Sequence, residues 1–87
     1  MTASPYPHEV REIVVQTFAE FGATRSQLMK ETALVDGGRY LARAYRLQGF
    51  LAMWFVEDGV LQFSDAQHRI LRTINLWEEM VPQRMAA

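Results

Sequence analysis

Residues 52–63 read AMWFVEDGVLQF. Two apolar runs flank Asp58-Gly59, and Ala52 to Val56 shows none of the alternation that a strand with one wet face displays. An Asp-Gly pair between such runs is a strong hairpin signal. The stretch therefore reads as two antiparallel strands that are dry on both faces, and something must cover each face.

Similar punctuation recurs on either side. Asp36-Gly37-Gly38, Gln48-Gly49 and Asp65-Ala66-Gln67-His68 break the chain at intervals of about ten residues, which is hairpin spacing. The pattern predicts a meander of four to five antiparallel strands, at about 28–35, 39–47, 50–57, 60–64 and 69–76. Gln27 to Leu34 and Arg39 to Leu47 also carry helix-favouring residues. The Asp-Gly-Gly between them favours the hairpin.

Upstream, Ser4-Pro5-Tyr6-Pro7 with Glu9 and Glu12 has the chemistry of a helix start. Val10, Ile13, Val14, Phe18 and Phe21 then fall on one stripe, opposite Arg11, Glu12, Gln16 and Glu20, and Gly22 ends the pattern. The expected fold is α+β: one helix, about 7–21, packed on one face of a sheet at about 28–76. A short C-terminal tail follows, and the whole chain, 1–87, forms one domain.

Two-residue turns at Gln48-Gly49 and Asp58-Gly59 would set registers directly. Leu47 would face Phe50, Tyr45 Ala52, Arg43 Trp54 and Leu41 Val56; across the next turn Val56 would face Leu61 and Trp54 would face Phe63. A three-residue first loop would put Glu31 opposite Arg43 and Ala33 opposite Leu41. One sheet face then collects Leu41, Arg43, Tyr45, Phe50, Trp54, Val56, Leu61 and Phe63, and the other Ala42, Ala44, Leu51, Met53, Phe55 and Val60. Small residues among large ones suit a close-lying helix, so the helix is expected on the Ala42/Ala44/Met53/Phe55 side. That leaves Leu41, Arg43, Tyr45, Phe50, Trp54 and Phe63 as a candidate binding face, larger than soluble monomers usually leave open. Alternatively, residues 74–80, with Trp77, fold over it.

Composition points toward association. A chain of 87 residues builds a marginal core, and without cysteine no disulfide can reinforce it. Two histidines, His8 and His68, are too few for a zinc cage, so no metal or cofactor is expected. The hydrophobic content, 49%, is high for this length. The first ten residues, MTASPYPHEV, have no secretory pattern and no run suits a membrane helix, so a cytoplasmic protein without membrane contact is expected. Net charge is −1, with a basic middle (Arg25, Lys30, Arg39, Arg43, Arg46) between acidic flanks, which suits internal pairing better than a polyanion footprint.

FSDAQHRILRT, residues 63–73, resembles a single YD repeat, the tyrosine-aspartate hairpin unit of large bacterial shell and toxin proteins. Phe63, Asp65, Arg69, Leu71 and Arg72 stand in the matching places, and His68 where that unit prefers glycine. The resemblance covers about eleven residues; it implies a hairpin and carries no function.

Other motifs have plainer readings. Ser64, Asp65 and His68 crowd one turn too tightly for a nucleophilic relay, and Asp36-Gly37-Gly38 lacks the lysine and helix of a phosphate loop. His8 and Glu12 are two possible ligands, short of a site. The sequence thus reads as a non-enzymatic interaction or oligomerisation module, foremost a homodimer, with another protein partner also open. A single-strand nucleic-acid platform built on Trp54, Tyr45 and Phe63, or a small-ligand accessory protein, are the alternatives.

Overall fold

The computed structural model describes residues 6–79. Its first helix, α1, spans Pro7–Glu20. Proline in the first turn sacrifices no intrahelical bond, and the Glu9 carboxylate accepts the Tyr6 N–H at 3.0 Å, setting a negative charge at the positive end of the helix. Ser4 and Pro5 of the expected cap lie outside the described residues. At the other end Gly22 donates to Ala19 O at 3.0 Å and Ala23 to Phe18 O at 2.9 Å, the paired bonds of a Schellman motif. Gly22 takes φ +98°, which explains glycine at this position.

A 3-10 turn, Ser26–Leu28, leads into β1 (Lys30–Asp36), β2 (Arg39–Leu47), β3 (Phe50–Phe55), β4 (Val60–Ser64) and β5 (Ile70–Asn75), followed by a short helix, α2 (Leu76–Glu79). The strands lie in chain order, each antiparallel to the next, in an open sheet. The α+β meander is as expected, and residues 30–47 form a hairpin rather than helices. The tail from residue 80 lies outside the described residues.

The β2–β3 turn has the expected register: Leu47 faces Phe50, Tyr45 faces Ala52 and Arg43 faces Trp54. Gln48 (φ 51°) and Gly49 (φ 86°) are both left-handed, as a primed two-residue turn requires. Gln48 tolerates this because its side chain has its own partners. Its Oε1 accepts the Thr24 N–H at 2.8 Å and its Nε2 donates to Thr24 Oγ1 at 3.1 Å, tying the turn to the α1–β1 link.

Two registers differ from expectation. Gly37 and Gly38 both adopt positive φ and close a two-residue turn, and an extra residue, Leu41, bulges between Ala42 and Tyr40. Glu31 therefore faces Tyr45 and Ala33 faces Arg43. The charge partner of Glu31 is Arg11 on the helix, at 2.8 Å between Nη2 and Oε2, rather than Arg43 across the strand. In the β3–β4 hairpin the loop is four residues, Val56–Gly59, closed by Gly59 N–H to Phe55 O at 3.0 Å. Trp54 faces Leu61 and Ala52 faces Phe63. The shift is two residues, so each side chain keeps its expected face.

His68 stands at φ 64°, in the left-handed region. Asp65 Oδ1 accepts the N–H groups of Gln67 (2.9 Å) and Arg69 (3.0 Å). The backbone N–H of Arg69, first among several donors, holds the Asp65 carboxyl below its ordinary range.

The helix covers the face opposite to the one expected. Val10, Val14 and Phe18 are fully buried against Tyr45, Leu47, Ala52, Trp54, Leu61 and Phe63, with Leu76 of α2 closing the cluster. Phe18 and Phe21 meet the Phe63 ring edge-on, with centroids 5.7 and 5.8 Å away. The reason is area: the rings of this face offer the most apolar surface to remove from water, about 1.5–3 kcal/mol for each large side chain buried. Ala52, not Ala42 or Ala44, is the small residue beneath the helix. Ion pairs fix the crossing at both sheet edges. Arg11 reaches Glu31 on β1, and Glu20 accepts from Arg72 on β5 at 2.8 Å while that guanidinium lies 5.3 Å from the Phe21 centroid.

Burial, then the neighbouring Glu31 carboxylate, raises the Tyr45 hydroxyl above its ordinary range, with the Arg43 guanidinium pulling the other way, and the hydroxyl makes no hydrogen bond of ordinary geometry among the described residues. Removing a buried, unpaired hydroxyl removes a desolvation cost of about 1–3 kcal/mol. Tyr45→Phe is therefore expected to hold or raise the melting temperature, whereas a clear drop would mean that the hydroxyl is bonded.

Candidate interaction surface

Register determines which side chains share the face that α1 leaves bare. Across the five strands run three rows: Leu34, Ala42, Phe55, Val60, Asn75; then Thr32, Ala44, Met53, Gln62, Thr73; then Lys30, Arg46, Leu51, Ser64, Ile70. Of these three rows of five, only Lys30 and Arg46 are charged, and both stand in the last row. Leu34 is 47% exposed, Phe55 37% and Ile70 61%. Leu51, Met53 and Val60 are half-buried, while Ala42 and Ala44 sit below their larger neighbours. The first two rows carry no charge, and depletion of charge is one mark of an interface core.

The edges of the sheet are built differently. An exposed edge strand invites pairing with another chain unless bulges or charge disrupt it. Here β1 pairs with a strand bulged at Leu41, and β5 is itself bulged between Arg72 and Ile70. Lys30 stands on β1, and Arg69 and Arg72 on or beside β5. Association edge to edge is thereby opposed, and association through the face is not.

Of the residues expected to form an open surface, Tyr45 (1% exposed), Trp54 (4%) and Phe63 (0%) lie beneath the helix. Phe50 packs against the same core, and Arg43 is half-buried with its guanidinium 5.8 Å from the Tyr40 centroid. Leu41 is exposed, at the bulge. The expectation of one covered and one bare face therefore holds with the faces exchanged. Of the exposed residues on the bare face, Phe55 is placed by the sequence on the face expected to carry the helix and Leu34 on neither; the misleading signal is the alanine pair.

Of the segment 74–80 expected as an alternative cover, Ile74 stays in β5 and packs against the core from within the sheet, Leu76 joins the core from α2, and Met80 lies outside the described residues. The Leu76 N–H donates to Gly59 O at 2.7 Å and Trp77 Nε1 to Asp58 O at 3.1 Å. Among the described residues, no three His, Asp or Glu side chains gather as metal ligands would, and no helix is long and apolar enough to cross a membrane. Compared with known proteins, the chain matches no family model, and no curated protein or solved structure matches it significantly.

Proposed function

We propose that this protein is a small interaction and oligomerisation module that pairs face to face with a second copy through the helix-free side of its sheet. The observation that carries the reading is the apolar patch Leu34, Phe55, Val60 and Met53 within two rows that carry no charge, on a sheet whose edges are bulged and charged. Five strands about 4.8 Å apart and about six residues long at ~3.3 Å each make a face of roughly 480 Å² in projection. The accessible area of a side-chain relief exceeds its projection, which brings the face toward the ~800 Å² per partner of a standard interface. In a two-fold pair, Met53 and Phe55 of one sheet can pack against Leu34 and Val60 of the other, the self-complementarity that an isologous contact needs. A stacking platform for single-stranded nucleic acid would need exposed rings, and those of Trp54, Tyr45 and Phe63 are interior.

Sedimentation at micromolar concentration is expected to give a dimer. Phe55→Lys is expected to give a monomer of unchanged circular dichroism, because it removes the largest exposed side chain of the patch and would press an unpaired ammonium against apolar residues of the other copy. A loss of about 2 kcal/mol or more is typical at such a position. A wild-type chain that stays at 10 kDa under the same conditions would remove the proposal.

A further inference from the structure

Lys30 and Arg46 are direct cross-strand partners on the bare face. Like charges opposite one another in an antiparallel pair destabilise it, so the arrangement calls for a compensating anion. The described residues supply none. Their ion pairs are Arg11 with Glu31, Arg39 with Glu57, Arg69 with Asp65 and Arg72 with Glu20, and neither Lys30 nor Arg46 takes part.

The two cations line a groove of about 420 Å³ at the end of the sheet, where the 3-10 turn passes the β2–β3 turn. Leu28, Leu47, Phe50 and Leu51 supply its apolar lining. The volume lies within the range of small-molecule sites, roughly 300–1,000 Å³. One wall is braced, because the two Gln48–Thr24 hydrogen bonds hold the turn against the segment that carries Leu28.

We infer that this groove binds a single-chain amphiphile with an oxyanion head: the head between the Lys30 ammonium and the Arg46 guanidinium, the chain along Leu28 and Leu51. The guanidinium fork matches a carboxylate or a phosphate monoester, and the ammonium adds a point charge beside it. Neither half of the ligand suffices. A bare anion leaves the leucines wet, and a bare hydrocarbon leaves the like charges unrelieved. The site lies at one margin of the face proposed for self-association and does not depend on that pairing.

The test is an amide-resolved NMR titration of the full chain with octanoate, octyl phosphate, acetate and 1-octanol. Octanoate or octyl phosphate is expected to move the amides of Leu28, Lys30, Arg46 and Leu51, and the tighter of the two identifies the head. Acetate and octanol should each bind about tenfold or more weakly, as the loss of a charge-assisted contact or of the apolar chain implies. Arg46→Glu should weaken binding of the better ligand by about tenfold or more without lowering the melting temperature, because it sets a carboxylate opposite Lys30. Lys30→Gln should weaken binding as well and also relieve the repulsion. The inference is overturned if octanol equals octanoate, if the shifts centre on Met53 and Phe55, if Arg46→Glu binds as well as wild type, or if nothing moves at millimolar ligand.

Discussion

Phe18→Asp is expected to leave the chain unfolded at 25 °C. The Phe18 side chain has no exposed surface and touches both Phe50 and Phe63. Truncating a buried phenylalanine costs about 3–5 kcal/mol. A carboxylate in its place has no cation inside the cluster, so it must remain unpaired or bind a proton, and either adds to the loss. Domains of this size draw on the low end of the usual 5–15 kcal/mol. Gln16→Asp, on the exposed side of the same helix, should melt within a few degrees of wild type. Equal melting of the two variants by circular dichroism would mean that α1 does not dock through this stripe.

Gly59→Ala is expected to be the most damaging of the glycine substitutions, at about 2–5 kcal/mol. Two independent costs combine: the positive φ of 65°, about 1–2 kcal/mol for an L-residue, and a steric overlap, about 1–3 kcal/mol when a packed site cannot yield. A Cβ there would overlap the Trp77 ring, coming within 2.7 Å of Cε2. The ring must leave, and with it goes the Trp77 Nε1 bond to Asp58 O and the seal that Leu76 provides. The variant should therefore show a red-shifted indole emission together with its lowered melting temperature. Gly37→Asn makes the contrast, since φ 59° suits asparagine and no atom lies within 4 Å of the new Cβ. If both variants melt alike, Trp77 does not rest on Gly59.

What was readable in the chain depended on how local the determining physics is. Helix α1 is fixed by its own stripe and by Gly22, and the β2–β3 register by Gln48-Gly49, so both follow from a few adjacent residues. The loop before β4 was read two residues short because Asp58-Gly59 looks like a complete turn. Whether Val56 and Glu57 join it depends on where Gly59 meets Trp77, nineteen residues on from Asp58. The choice of face was less local still. Ala42 and Ala44 suggested a docked helix, yet an alanine between longer neighbours on its own sheet becomes buried without any second layer. What decides is the total area of the Tyr45, Trp54 and Phe63 rings together with the Arg11–Glu31 and Glu20–Arg72 pairs, which join segments far apart in sequence. The candidate surface followed from that choice, so it was found as one of two faces rather than as a motif.

Strands that neighbour in sequence also neighbour in space, so each hairpin can close as soon as it is made, but the helix is in a different position. Of the two ring partners of Phe18, Phe50 and Phe63, the later comes forty-five residues on. At a synthesis rate of about 5–20 residues per second, the apolar stripe of α1 would wait about 2–9 s before its platform exists. In that interval Val10, Val14 and Phe18 offer a nascent chain's most adhesive surface to whatever attends the ribosome exit. The helix is translated before its platform, so its docking must wait for the sheet.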